Sequence, residues 1–161
     1  MPHHYQANRS SGFTLVEILI ALVILSVGLL GLAGLQTSSL RAGNDAYLRT
    51  QANMLAYSII DRMRSNMLAV TSGDYNMSTV SATGNNCPAS TNFNNAQELA
   101  AVDQQQWLCA LAEKLPGASA SIATGASGDR TQISITISWF EQRVKQGEKG
   151  ADTTLTLMTL L

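Results

Sequence analysis

Apolar residues run without interruption from Ile18 to Leu35, eighteen positions with no charge and only Ser26 carrying a polar side chain. As a helix rising about 1.5 Å per residue, the run covers about 27 Å, close to the hydrocarbon thickness of a bilayer. Twelve of the eighteen are Leu, Ile or Val, which favour insertion by roughly 4–7 kcal/mol at mid-membrane values. The run predicts a membrane-spanning helix. Gly28, Gly31 and Gly34 recur on it at every third position. They suit close helix packing in a bilayer, local melting of the helix, or simple tolerance of small residues there.

Beyond the run the pattern changes but the helical period persists. Leu48, Ala52, Leu55, Ile59, Met63, Met67 and Val70 follow spacings of three and four, while Arg49, Asn53, Asp61, Arg62 and Arg64 fall mostly off that stripe. Proline is absent between Pro2 and Pro88, so one helix from about Thr14 to about Val70 is expected, its second half amphipathic and packed under a soluble domain. From Thr71 to Asn95 the chain turns to Ser, Thr, Asn and Gly without apolar period, which predicts a surface loop.

Ala96 to Leu115 reads as a second helix ended by Pro116-Gly117. Leu99, Val102 and Gln106 define one side, Leu108, Leu111 and Leu115 an adjoining one, and Trp107 is expected in the core. The period then drops to two. Ile133, Ile135, Ile137 and Trp139 share one face, and Gln132, Ser134, Thr136 and Ser138 the other, the signature of a half-buried strand. Ala118–Thr124 and Thr153–Leu161 are its expected partners, joined to it by GASGDR and by the charged stretch QRVKQGEKGAD. Connections this short predict antiparallel pairing. The fold class is α+β: a long N-terminal helix, a small helix, and an antiparallel sheet of three or four strands.

Composition narrows the chemistry. A length of 161 residues suits one soluble domain plus an anchor. Charged residues make up 13% and the formal net charge is −1, which offers no electrostatic footprint for nucleic acid. No spacing points to a carboxylate dyad, a metal site or a cofactor site.

One short phrase carries more. Gly12-Phe13-Thr14-Leu15-Val16-Glu17, joined directly to the apolar run, resembles the cleavage and methylation motif of type IV prepilins and the related pseudopilins. The resemblance implies that a membrane prepilin peptidase, also the methylase, cuts between Gly12 and Phe13 and methylates the new terminus at Phe13. It also implies that Glu17, the fifth mature residue, pairs with the terminal amine of a neighbouring subunit. The alternative for Glu17 is a carboxylate that marks the membrane boundary. An ordinary signal peptide has a shorter apolar segment and an A-x-A-like site; here the helix would be kept and the polar leader lost. That leader carries a single arginine, Arg9, fewer charges near the cut than such leaders usually have.

The implied organisation is a leader at 1–12, a transmembrane and fibre-core helix at 13–36, its amphipathic continuation at 37–70, and a periplasmic pilin-like domain at 71–161. Both histidines, His3 and His4, fall in the leader. The mature chain would then have no imidazole, which removes Ser-His triads and His-ligated metals. In an exported domain the two cysteines, Cys87 and Cys109, read as a disulfide closing a loop of about 23 residues, which contributes roughly 3 kcal/mol; two unrelated buried thiols are the alternative. GLLGLAGLQ at Gly28–Gln36, DRMRSN at Asp61–Asn66, and Asp103-x-x-x-Trp107-Leu108 before Leu-Pro-Gly resemble the PilV type of minor pilin, the type IV pilus modification proteins. For Arg62 and Arg64 a plainer reading is a solvated last helical turn, where cations are favoured.

The resemblance implies a structural subunit rather than an enzyme. It would sit in a bacterial inner membrane as a single-pass protein and enter the extracellular pilus, acting in pilus priming or modification. Implied partners are the prepilin peptidase, other major and minor pilins, the inner-membrane pilus assembly platform and the lipid bilayer. A minor pseudopilin of a type II secretion system shares the cleavage motif, and a membrane-anchored enzyme would need a catalytic constellation that the sequence does not offer.

Overall fold

The computed structural model describes residues 12–85, 87–88, 93–141 and 151–161. The leader up to residue 11 and most of the charged stretch after Glu141 lie outside the described residues. The elements are helix α1 (Leu15–Ser65), helix α2 (Met67–Ser72), strand β1 (Met77–Ser81), helix α3 (Ala96–Lys114), and strands β2 (Ser119–Ser127), β3 (Arg130–Glu141) and β4 (Ala151–Leu160). The chain divides into two compact units, Met1–Leu40 and Arg41–Leu161.

In the first unit α1 is apolar all round, and every described side chain from Phe13 to Leu40 is exposed. A helix of this composition leaves water only if lipid or other helices cover it. It is the one described helix long and apolar enough to cross a membrane.

In the second unit the remainder of α1 buries Leu48, Ala52, Ala56, Ile59, Ile60 and Met63. Ala52 and Ala56, one turn apart, and Ile59, Ile60 and Met63 beyond them are all without appreciable exposed surface. Facing them are Ala120 and Ile122 of β2, Ile133, Ile135 and Ile137 of β3, and Trp107 and Leu111 of α3, all in one buried cluster. The long helix packed on a four-stranded antiparallel sheet is the α+β arrangement of the type IV pilin fold.

The sheet is a meander in the order β1-β2-β3-β4 with every pair antiparallel. Its register follows from the period of two. Ile122 lies opposite Ile135 and Ala120 opposite Ile137 on one side of β3, and Leu157 and Leu155 lie opposite the same two residues on the other. A slip of one residue would turn all of these to solvent.

Four expectations are corrected. The long helix does not continue to Val70: it ends at Ser65, and Asn66 leaves the helical region (φ −129°) before α2 begins. No proline is involved. Instead the Asn66 amide donates to the Ala96 carbonyl oxygen at 2.8 Å, at the start of α3, and the break shifts the apolar face. Of the two stripe residues beyond the break, Val70 is buried as expected but Met67 is exposed, and Ala69 is buried in its place. The loop expected over Thr71–Asn95 contains β1, whose exposed Ser and Thr residues give no alternation to read. The GASGDR connection is mostly strand; only Gly128 and Asp129 remain between β2 and β3, with Gly128 at φ 62°.

The fourth correction concerns α3. Its buried face is Ala100, Asp103, Trp107, Leu108 and Leu111; the expected Leu108-Leu111-Leu115 side and Trp107 are buried, while the Leu99-Val102-Gln106 side is only half-buried. A charged residue at the middle of the face hides the period, since aspartate counts as polar in any pattern. The helix starts where Asn95 accepts from the Glu98 N–H at 2.8 Å and the Glu98 carboxylate accepts from the Asn94 N–H at 2.8 Å, reciprocal satisfaction of its first turn.

Candidate functional site

The N-terminal motif is built as a helix start. Thr14 precedes α1, and its hydroxyl oxygen accepts from the Glu17 N–H at 3.3 Å, while its carbonyl oxygen accepts the same N–H at 3.1 Å. Thr-x-x-Glu at a helix entrance is a capping signal, and it is legible in the sequence, although the resemblance drew attention to Glu17 alone. Glu17 stands in the first turn, where the unsatisfied N–H groups carry partial positive charge and favour a carboxylate. Phe13 lies just outside this capped turn and is 79% exposed. Gly12 has open space around the position of a missing Cβ. The structure therefore puts Gly12, Phe13 and Glu17 at one helix end, all accessible in the isolated chain.

At the far end of the packed half of α1, a second group of polar residues comes together. Arg62 donates through Nη1 to Asp103 Oδ1 at 3.0 Å and to Gln106 Oε1 at 2.7 Å. Tyr75 donates its hydroxyl to the other Asp103 oxygen at 2.6 Å. Asn66 bridges to the first turn of α3, and Trp107 donates its indole N–H to the Leu55 carbonyl oxygen at 2.9 Å. Gln106 also donates to the Pro88 carbonyl oxygen at 3.2 Å, beside the disulfide joining Cys87 to Cys109. Two of the three phrases that resembled PilV-type minor pilins, one at Asp61–Asn66 and one at Asp103–Leu108, thus form opposite sides of one clasp. Arg64, by contrast, pairs only with exposed Asp61 at 2.9 Å and is the solvated cation of the plainer reading.

A second clasp lies nearer the apolar run in sequence. Arg49 donates through Nε to Glu141 at 3.2 Å, and the Glu141 side chain has no exposed surface. Sequence reading missed Arg49, Glu141, Tyr75 and Asp103 as partners, because each pairing crosses 28 or more residues and has no local spacing.

Tyr75 gives the clasp a pH signature. Its burial, and then the hydrogen bond to Asp103, push the phenol well above its ordinary value of about 10. The folded state holds the proton more tightly than the unfolded state does. The stabilisation is therefore complete below about pH 10 and is lost as pH rises from there through the higher folded value. In denaturant titrations, wild type is expected to lose stability above about pH 10 more steeply than Tyr75→Phe. Parallel pH profiles for the two proteins would remove Tyr75 from the account.

Among the described residues no group of three or more His, Cys, Asp and Glu is placed to hold a metal ion. The shared character of both regions is attachment: one end of α1 is capped, charged and accessible, and the other is tied to the domain.

Residues 7–33 match the prokaryotic N-terminal methylation motif. No curated protein and no solved structure matched the chain. The motif on an apolar N-terminal helix supports a type IV pilin-family protein, a pilin- or pseudopilin-like structural subunit anchored by that helix. It implies processing by a prepilin peptidase and assembly with other pilins.

Proposed function

We propose that the mature chain begins at Phe13 and is a minor pilin of the PilV type, a subunit that primes or modifies a type IV pilus. Residues 1–12 are its leader, 13–36 its span and fibre-core helix, 37–70 the continuation, and 71–161 the periplasmic domain. The observation that carries the reading is the unbroken succession of Gly12-Phe13, a capped turn containing Glu17, and an apolar helix that none of the described residues covers.

Cleavage after Gly12 creates an amine at Phe13, just ahead of a helix N-terminus. A cation there is disfavoured by the helix dipole, so it gains from a carboxylate in the same layer. Glu17 of a neighbouring chain supplies one, and the pair fixes the axial register of one helix against the next. Unprocessed chains lack the amine and are refused. The domain, held to α1 at two clasps, is carried outward on the fibre.

The test is intact-mass analysis of the protein from cells with and without prepilin peptidase, followed by its level in sheared pili. Loss of residues 1–12, a methyl group on Phe13, and presence in sheared fibres are expected. A chain that keeps Met1 in peptidase-positive cells overturns the processing, and a processed chain absent from pili but required for protein secretion makes it a pseudopilin instead.

A further inference from the structure

Between α2 and β1 the chain reverses in a tight turn. Gly73, in the left-handed region at φ 81°, closes α2, and its carbonyl oxygen accepts from the Asn76 N–H at 2.9 Å. Tyr75 is drawn inward to Asp103, while Asn76 and Ser78 are exposed. The turn and the start of β1 read Asp74-Tyr75-Asn76-Met77-Ser78. Asn76-Met77-Ser78 is an acceptor sequence for N-linked glycosylation, which needs an asparagine, a residue other than proline, and a hydroxyl. Asp74 adds the carboxylate two positions ahead of the asparagine that prokaryotic acceptor sites require. The one other Asn-x-Ser of the chain, Asn8-Arg9-Ser10, lies in the leader and has Gln6 in place of that acid.

The fold uses one end of the Asn76 amide and leaves the other. Its Oδ1 accepts from the Thr124 N–H at 2.7 Å and from the Thr124 hydroxyl at 2.9 Å, which ties the turn to β2. Among the described residues its Nδ2 has no acceptor. Nδ2 stands 3.0 Å from where a Cβ on residue 73 would be, so glycine there clears the space beside it. The Asp74 carboxylate and the Ser78 hydroxyl likewise make no hydrogen bond or ion pair among the described residues. A structural role therefore accounts for Oδ1 alone. The three groups that an acceptor site needs, a nucleophilic amide nitrogen, a hydroxyl and a carboxylate, are the ones the fold leaves over.

We propose that Asn76 is an N-glycosylation site, taking an oligosaccharide from a polyprenyl-diphosphate donor by way of an oligosaccharyltransferase. Asn76 Nδ2 attacks the anomeric carbon of the donor sugar. The C–N bond forms as the C–O bond to the diphosphate breaks, polyprenyl diphosphate leaves with the electron pair, and the Nδ2 proton passes to a base of the transferase. The Ser78 hydroxyl and the Asp74 carboxylate identify the acceptor and do not react. The product amide keeps its Oδ1, so both bonds from Thr124 survive and the modified turn retains its fold. The proposal rests on the reading that residues 71–161 are exported, because donor and transferase act outside the cytoplasm.

The experiment isolates the full-length chain from the membranes of its native cells and reads intact mass and glycopeptides. A chain without residues 1–12 that carries an oligosaccharide on Asn76 is expected. Ser78→Ala, at an exposed side chain, should cut occupancy about tenfold or more, whereas Ser78→Thr keeps the hydroxyl and should keep the glycan. Asn76→Asp retains an acceptor for Thr124 but removes the nucleophile, and should abolish modification. A serine of purely structural use would not discriminate between alanine and threonine in this way. A bare Asn76 in the wild-type chain, a saccharide on a different residue, or occupancy unchanged in Ser78→Ala overturns the proposal. The same spectrum separates the two readings: bare Asn76 on a chain that has lost residues 1–12 removes the glycan alone. Bare Asn76 on a chain that keeps them removes the function proposed above as well.

Discussion

Glu17→Leu is expected to accumulate in the membrane at or above the wild-type level and to be nearly absent from sheared fibres. Lengthening the apolar run by one leucine removes a carboxylate that is costly near the bilayer, so insertion cannot suffer. In the assembly proposed above, the same change would strip the partner from a neighbour's terminal amine, and a charge left unpaired in a dry layer costs several kcal/mol. Since each 1.4 kcal/mol is a factor of about ten, incorporation should fall about tenfold or more. Glu17→Gln separates the charge from the hydrogen bond and should recover little. The N-cap is not disturbed by either substitution, because the Thr14 hydroxyl accepts from the Glu17 backbone. Quantifying the variants in membrane and fibre fractions is the measurement. Wild-type incorporation of Glu17→Leu would reduce Glu17 to a boundary marker.

The second large effect is on stability. Asp103→Ala removes the acceptor of both the Arg62 guanidinium and the Tyr75 hydroxyl, leaving the buried phenol with only the long 3.5 Å contact from the Asn66 amide and the cation with Gln106. Arg62 keeps about a third of its side-chain surface in water, which moderates its share. A loss of about 2–4 kcal/mol is expected. Asp61→Ala, which breaks the exposed pair with Arg64 two residues beyond Arg62, should cost less than about 1 kcal/mol. Urea unfolding of the two variants side by side checks the contrast. Equal effects would mean that the Asp103 clasp is no stronger than a surface pair.

That contrast also marks what a sequence can and cannot carry. The apolar run, the strand of alternating isoleucines and the helix after Ala96 were legible because each is written in a local period. β3 forms where the alternation placed it, and its two expected neighbours pair with it, β2 running three residues further than expected. Asp103 was not legible as a buried residue, since its reason for burial lies 41 positions upstream at Arg62 and 28 upstream at Tyr75. β1 escaped for a related reason: an edge strand with one half-buried side chain has no second row to alternate with. At the N-terminus the six-residue phrase pointed to Gly12, Phe13 and Glu17, and its Thr14-x-x-Glu17 spacing carried the helix cap as well.

The two clasps on α1 also have a mechanical side. Arg49 and Arg62 are gripped by Glu141 and Asp103 at points about 20 Å apart along the helix axis, with buried Ala52, Ala56, Ile59 and Ile60 between them. A pull along α1 therefore loads both ion pairs and the intervening packing together, in shear, and nothing gives until all of it does. A pull on the other terminus meets β4, an edge strand that can be peeled from β3 one pair of hydrogen bonds at a time. The helix is the strong handle of this molecule, and the carboxyl end is the weak one.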